Sequence, residues 1–255
     1  ILVVPSHRLW LFFKSLNIGV RRTKNIPSLF LKVNNNYIAC LLKGIFDAEG
    51  TVGEKSIHLA SSSKILVETV RLLLLRLGIV SSVYKIKRKS EFKRTSYYSL
   101  EISGTDIQLF KEKIGFTSKR KLQKLERINA KYSVTRTYPV EWFKDLDNDI
   151  RNKFSALREK NRRIGAKLFK VVLDEIKKRH GKCRAIVLEN ILNHLVFLKV
   201  KRIEKIKDKI RMIDFYVPQN NTFVANGFLV HNCIINAARH GSSVLGGVLY
   251  LYGED

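Results

Sequence analysis

Near the end of the chain His231, Asn232 and Cys233 stand side by side and can react with the backbone that carries them. The Asn232 side-chain amide can attack its own carbonyl carbon, closing a succinimide and releasing whatever follows. His231 can donate a proton to the departing amide nitrogen, and the Cys233 thiol can accept an acyl group before the cut. The plainer reading is a buried hairpin turning at Asn226-Gly227; the two readings share the hairpin and differ only in the fate of the bond after Asn232. Far upstream, LLKGIFDAEGTV (Leu41 to Val52) carries a second reactive set, Asp47 and Glu49 just before Gly50. Acids at a helix C-terminus face the negative end of the helix dipole, a cost that a bound cation would offset. Cys40, Gly44 and Ala48 recur every fourth residue, so they share one helical face along which a second helix could approach almost backbone to backbone. Two such helices, each offering a carboxylate, would suit a divalent ion and phosphodiester hydrolysis. The plainer alternative is a helix end with a turn.

The elements that must position these residues are legible in outline. Tyr37 to Phe46 follows a helical apolar period stopped by Gly50, and residues 51–61 read as short strands. Ser63 opens a helix that ends at Gly78, and its interior KILVETVRLLLLRL is polar only on the side of Arg71 and Arg76. Residues 83–89 and 97–102 form a two-stranded ribbon, followed by helical stretches over roughly 105–114 and 118–131. On the ribbon Val83, Lys85, Lys87 and Lys89 alternate with Tyr84, Ile86 and Arg88, across from an apolar row of Tyr98, Leu100 and Ile102. Such a ribbon has the width of the DNA major groove. Residues 140–192 read as helical and charged, with breaks expected at Gly165 and Gly181. His194 to Ile206 reads as a strand leading into the final hairpin. The fold class is α+β.

Charge narrows the function. The chain has 48 Lys and Arg against 22 Asp and Glu, a net charge of +26 in 255 residues. Such a field favours a polyanion, and nucleic acid is the first candidate. Residues 151–211 alone carry 20 Lys and Arg against 6 Asp and Glu, which fits either a solvated helical spacer or an accessory DNA-binding element. No apolar run reaches transmembrane length, so no membrane partner is expected. Three cysteines at 40, 183 and 233 show no paired spacing, which points to a reducing, cytoplasmic setting and no zinc site. The first residue is Ile, and the chain reads as a piece of a longer precursor.

Phe215 to Cys233, FYVPQNNTFVANGFLVHNC, resembles the C-terminal splicing motif of inteins through Val217, Pro218, Phe223, Asn226, Gly227, His231, Asn232 and Cys233. The resemblance implies that Asn232 cyclises without a cofactor, that Cys233 accepts the acyl group, and that His231 and Asp214 assist. Asn221 departs from it, since the family often has a His there. Leu41 to Val52 is similar to the LAGLIDADG motif of homing endonucleases through Leu42, Gly44, Ile45, Asp47, Glu49 and Gly50, and the helix-strand-strand order downstream matches that family's αββαββα half. RRTKNIP (Arg21 to Pro27) resembles the basic segment ahead of the second such motif in intein-embedded endonucleases.

This second resemblance implies Mg²⁺-dependent cleavage of double-stranded DNA. Glu49 and Asp47 are the candidate metal carboxylates, Glu49 to bind the ion and Asp47 chiefly to organise the helix end. Lys24 matches a lysine near the scissile phosphate. Arg21, Arg22, Lys85, Lys87, Lys89, Lys93 and Arg94 are the candidate DNA contacts. The implied organisation is an endonuclease second half over 1–132, a basic helical linker or accessory DNA-binding element over 133–193, a Hint-like splicing segment over 194–232, and the start of the C-extein over 233–255. Splicing also needs an N-terminal Cys or Ser and a Thr-x-x-His segment, and the endonuclease needs a second LAGLIDADG helix. These are expected upstream, in an intein half that partners this one in cis together with the flanking exteins. The rival reading is a catalytically inactive LAGLIDADG-like module that regulates DNA or RNA, or an RNA maturase.

Overall fold

The computed structural model describes residues 5–19, 21–89, 94–129, 136–143, 148–154, 156, 163–198, 200, 203–204, 222–231 and 248–251. Two compact units divide the chain, Ile1–Thr135 and Arg136–Asp255.

The first unit begins with α1 (His7–Ser15), capped by Ser6, which buries none of its residues. Two short 3-10 turns follow, Arg21–Thr23 and Ser28–Leu31. Helix α2 (Asn35–Glu49) starts where the Asn34 side chain accepts the Tyr37 amide, and ends at Gly50, whose backbone turns extended. Its Ile38, Leu42 and Phe46, spaced four apart, form the buried stripe. Strands β1 (Gly50–Val52) and β2 (Ser56–Ser61) lead to α3 (Lys64–Arg76), which buries Leu66, Val67, Val70, Leu73, Leu74 and Leu75. After Leu77 the chain leaves the helix through Gly78, at a φ of +79°. Strands β3 (Ser82–Lys89) and β4 (Arg94–Ser103) then precede α4 (Asp106–Lys113) and α5 (Lys119–Glu126). Helix α5 stops short of the span to 131 expected from sequence.

The four strands form an antiparallel sheet in the order β1-β2-β4-β3. Ile57, Leu59, Leu100 and Ile102 point to one face and join Ile38, Leu42, Phe46, Val70 and Leu74 in a single core. The cross-strand register is Gly50–Leu59–Leu100–Val83 on that face, with Ser61–Tyr98–Lys85 in the next row. The opposite face carries Thr51, His58, Glu101 and Ser82 in one row and Ala60, Ser99 and Tyr84 in another.

In the second unit β5 (Thr137–Pro139) pairs with β6 (Arg163–Gly165), with α6 (Asn148–Lys153) between them in sequence. Strand β6 corrects the all-helical expectation for 140–192, because Ile164 alternates into the core beside Tyr138 and Phe169. Helix α7 (Ala166–His194) follows. The Lys177 ammonium nonetheless donates to the Glu189 carboxylate at 2.8 Å, twelve residues on. A straight helix would separate those residues by about 18 Å, further than the two side chains reach. Ala185, Leu188 and Leu192 also share a core with Phe169, Val172 and Ile176. Helix α7 therefore bends sharply between 177 and 189, around Gly181.

Strand β7 (Leu195–Leu198) is shorter than the strand expected through Ile206, as Ile203 and Glu204 lie outside any strand. Strands β8 (Thr222–Ala225) and β9 (Phe228–His231) form a hairpin through Asn226 and Gly227, at φ +52° and +84°. Positive φ at both turn residues is the pattern that Asn-Gly favours. Strand β10 (Val248–Leu251), from beyond Cys233, lies between β7 and β9 in the order β7-β10-β9-β8. No helix among the described residues is long and apolar enough to cross a membrane.

Candidate active site

The C-terminus of α2 is built to meet positive charge. Lys121 of α5 donates to the carbonyl oxygens of Phe46 and Asp47 at 3.0 and 2.6 Å, covering the negative end of the helix. From the other side the Lys24 ammonium pairs with the Glu49 carboxylate. Lys24 is held by its backbone. Its carbonyl accepts the Ser63 hydroxyl at 2.5 Å, and the same Ser63 oxygen caps α3 through the Leu66 amide at 3.2 Å. Asn25 accepts the Gly19 amide at 2.8 Å, Ile26 is buried in the core, and Arg76 donates to the Leu31 carbonyl at 3.0 Å. The basic segment is thus fastened to α3 so that one lysine meets one glutamate 25 residues away in sequence.

Asp47 has a different employment. Its oxygens accept the amides of Thr117 at 3.0 and 3.1 Å and Ser118 at 3.2 Å, at the N-terminus of α5. Burial pushes its carboxyl upward, but the Thr117 and Ser118 hydrogen bonds, aided by Lys121, outweigh that and hold its pKa below the ordinary aspartate value. Asp47 thus ties the end of α2 to the start of α5 through the Thr117 and Ser118 amides.

Glu49, the second acid at this helix end, faces the Lys24 ammonium. Mg²⁺ is commonly held by one or two carboxylates with substrate phosphates and water. One glutamate at this helix end fits that donor set. No cluster of three or more metal-ligating side chains occurs among the described residues. Beside Glu49 a shallow groove runs along α2 past Cys40, Gly44 and Ala48 to Leu66. These small residues are exposed, and a Cβ added at Gly44 would meet no atom within 4 Å.

Arg21 and Arg22 are exposed on the turn just ahead of Lys24, and Lys85 is exposed on β3. Lys85 stands across from Tyr98, on the helix-covered face, in the row of Ser61 where β2 ends. Lys87, Lys89 and Arg94 occupy strand positions with side chains outside the described residues; Lys93 lies outside them altogether. The free face of the sheet instead carries His58, Tyr84, Ile86, Tyr97 and Glu101, of which Tyr84 and Ile86 were placed on the ribbon from sequence but none was expected to contact DNA. Tyr84 and Ile86 are about 40% exposed, and the strict alternation of the ribbon was the signal that could have marked them as contacts. In the second unit His231 is the last residue of β9; its side chain, and Asp214, Asn232 and Cys233, lie outside the described residues.

Comparison with known proteins places these observations in a family context. Residues 36–115, from α2 to the end of α4, match the family model of a LAGLIDADG-like domain. A glutamine–fructose-6-phosphate aminotransferase of Methanocaldococcus jannaschii is 29% identical over 228 residues, covering 85% of this chain and 20% of that protein. A probable translation initiation factor IF-2 of Thermococcus kodakarensis is 36% identical over 118 residues, covering 45% of this chain and 10% of that protein. The DNA helicase Hel308 of Methanocaldococcus jannaschii is 34% identical over 136 residues, 49% of this chain and 11% of that protein. The chain spans a fifth or less of the length of these relatives, whose names describe unrelated activities. What the sheet and helices α2 to α4 resemble is a LAGLIDADG-like domain, a class whose members are in general DNA endonucleases.

Proposed function

We propose that the chain is part of an endonuclease-bearing intein: a DNA-cleaving half joined to the C-terminal end of a protein-splicing domain. The observation that carries the nuclease reading is the meeting of Lys24 and Glu49 at the end of a helix whose small-residue face is open. Glu49 is the carboxylate for a divalent cation, which when bound supplies polarisation of a phosphate and a more acidic water. Lys24, held through Ser63, presents positive charge where a phosphodiester gains negative charge. Lys121 and Asp47 keep the end of α2 and the start of α5 fixed so that Glu49 keeps its place. The open face of Cys40, Gly44 and Ala48 is the seat of a second such helix, which brings a second carboxylate. Lys85 and the basic turn at Arg21 and Arg22 contact phosphates, and the free face of the sheet meets the groove.

The splicing reading is supported by the Asn-Gly hairpin of β8 and β9, whose last strand residue is His231. It is supported too by relatives of unrelated activity that match this chain over a fifth or less of their own length, as hosts of an inserted element would. In this reading Asn232 Nδ2 attacks the Asn232 carbonyl carbon and the bond to the Cys233 nitrogen breaks; that nitrogen takes a proton from His231, and the proton that Nδ2 sheds on closing the imide passes to solvent or back to His231. The test is intact mass of the chain over time at neutral pH, with and without added thiol. Release of a fragment beginning at Cys233, with loss of release in Asn232→Ala, is expected. Equal release from Asn232→Ala would overturn the succinimide step.

A further inference from the structure

We propose that the bent helix α7 is a second DNA-reading element whose C-terminal arm recognises A·T base pairs, a proposal that rests on the reading of the chain as DNA-binding. The bend follows from the Lys177–Glu189 contact and from the core shared by Phe169, Ile176, Ala185 and Leu192. It divides α7 into an arm of residues 166–180 and one of residues 185–194. Gly181 to Arg184, between the arms, stay helical, so the arms meet at a kink, and an α-helical arm is what the DNA major groove admits.

The exposed faces of the two arms differ in kind. On the first arm Lys167, Lys170 and Lys178 are exposed along one stripe, with a single acid, Asp174, among them. That stripe suits phosphates. On the second arm Ile186, Val187, Asn190 and Asn193 are exposed along one stripe, with Ile186 at 49% and Val187 at 65%. Glu189, paired with Lys177, flanks this stripe and His194 closes it; the rest of the face is amide and aliphatic, where a face meant only for water is charged. Its chemistry matches one base pair in particular: an asparagine amide pairs with adenine N6 and N7, and an aliphatic side chain contacts the thymine methyl. The basic excess of residues 151–211 supplies the charge complementarity for a polyanion.

The test selects bound sequences from a random-sequence duplex pool with the full chain, native and with Asn190→Ala and Asn193→Ala together. Both substitutions lie on exposed positions, and unchanged thermal melting verifies the fold. The native chain should select two separate sequence blocks, one of them rich in A·T pairs. The variant should lose that block, keep the other, and bind the native consensus at least tenfold more weakly. Two blocks retained by the variant, or a native consensus without an A·T block, would overturn the proposal, the latter also being the outcome if this face docks a protein. Failure of the first unit to read DNA has a separate signature, an A·T block selected alone and lost in the variant.

Discussion

Replacing Asp47 separates a cap from a metal ligand. Asp47→Ala removes the acceptor for the Thr117 and Ser118 amides at the start of α5. Loss of an N-terminal cap costs about 1 kcal/mol and hydrogen bonds to a charged group about 1.5–3 kcal/mol, so with water partly replacing the carboxylate about 2 kcal/mol is expected. Asp47→Asn keeps an acceptor and loses only the charge, for about 1 kcal/mol or less. Hydrogen exchange read by mass spectrometry reports the difference where it arises. The amides of Lys119–Glu126 should exchange roughly thirtyfold faster in the alanine variant and about fivefold faster or less in the asparagine variant. The pH dependence has a definite sign. A carboxyl held below its unfolded value contributes stability that is full above about pH 4 and is lost as pH falls through the folded value; the asparagine variant should lack that acid-side loss. Binding of Mn²⁺ to the chain on duplex DNA should survive Asp47→Asn. The reasoning fails if Asp47→Ala leaves exchange in α5 unchanged, or if Asp47→Asn abolishes ion binding.

Ser63→Ala removes both the cap of α3 and the tether of Lys24, so unit melting should fall by about 1–2 kcal/mol and DNA cleavage should drop; activity retained at full melting loss would deny the tether any role. Gly44→Arg meets open space, so thermal melting should be unchanged or slightly raised, by up to about 1 kcal/mol from helix propensity. The same arginine should prevent pairing of α2 with a second copy, read as loss of dimer in sedimentation on DNA. A dimer that persists would move the pairing face elsewhere.

The parts legible in sequence are those written in local periods. Ile38, Leu42 and Phe46 at spacing four, Ser63 ahead of a leucine-rich run, and Asn226-Gly227 between two short strands each announce their element. What was hidden depends on distant partners. The capping role of Asp47 is decided by amides 70 residues away, and the sequence there offers only an acid near a helix end. A break at Gly181 was legible, but polar residues in this charge-rich segment interrupt any clean period, so neither the core contacts of residues 185–192 nor the Ile164 alternation stands out. The position of β10 between β7 and β9 has no local signal at all, since Val248–Leu251 is apolar in any arrangement. At the candidate site Glu49 and Lys24 were each identifiable through resemblance, while their contact depends on Ser63 fastening the basic segment to α3.

The most direct measurement compares cleavage of a random-sequence plasmid pool in Mg²⁺ by the intact protein, carrying a second helix like α2, and by its Glu49→Gln variant, with DNA binding followed in the same samples. The account predicts linear or nicked product from the native protein alone, and equal binding by both. Cleavage by Glu49→Gln at the native rate would contradict it, because no other carboxylate at the end of α2 is left to take Glu49's part.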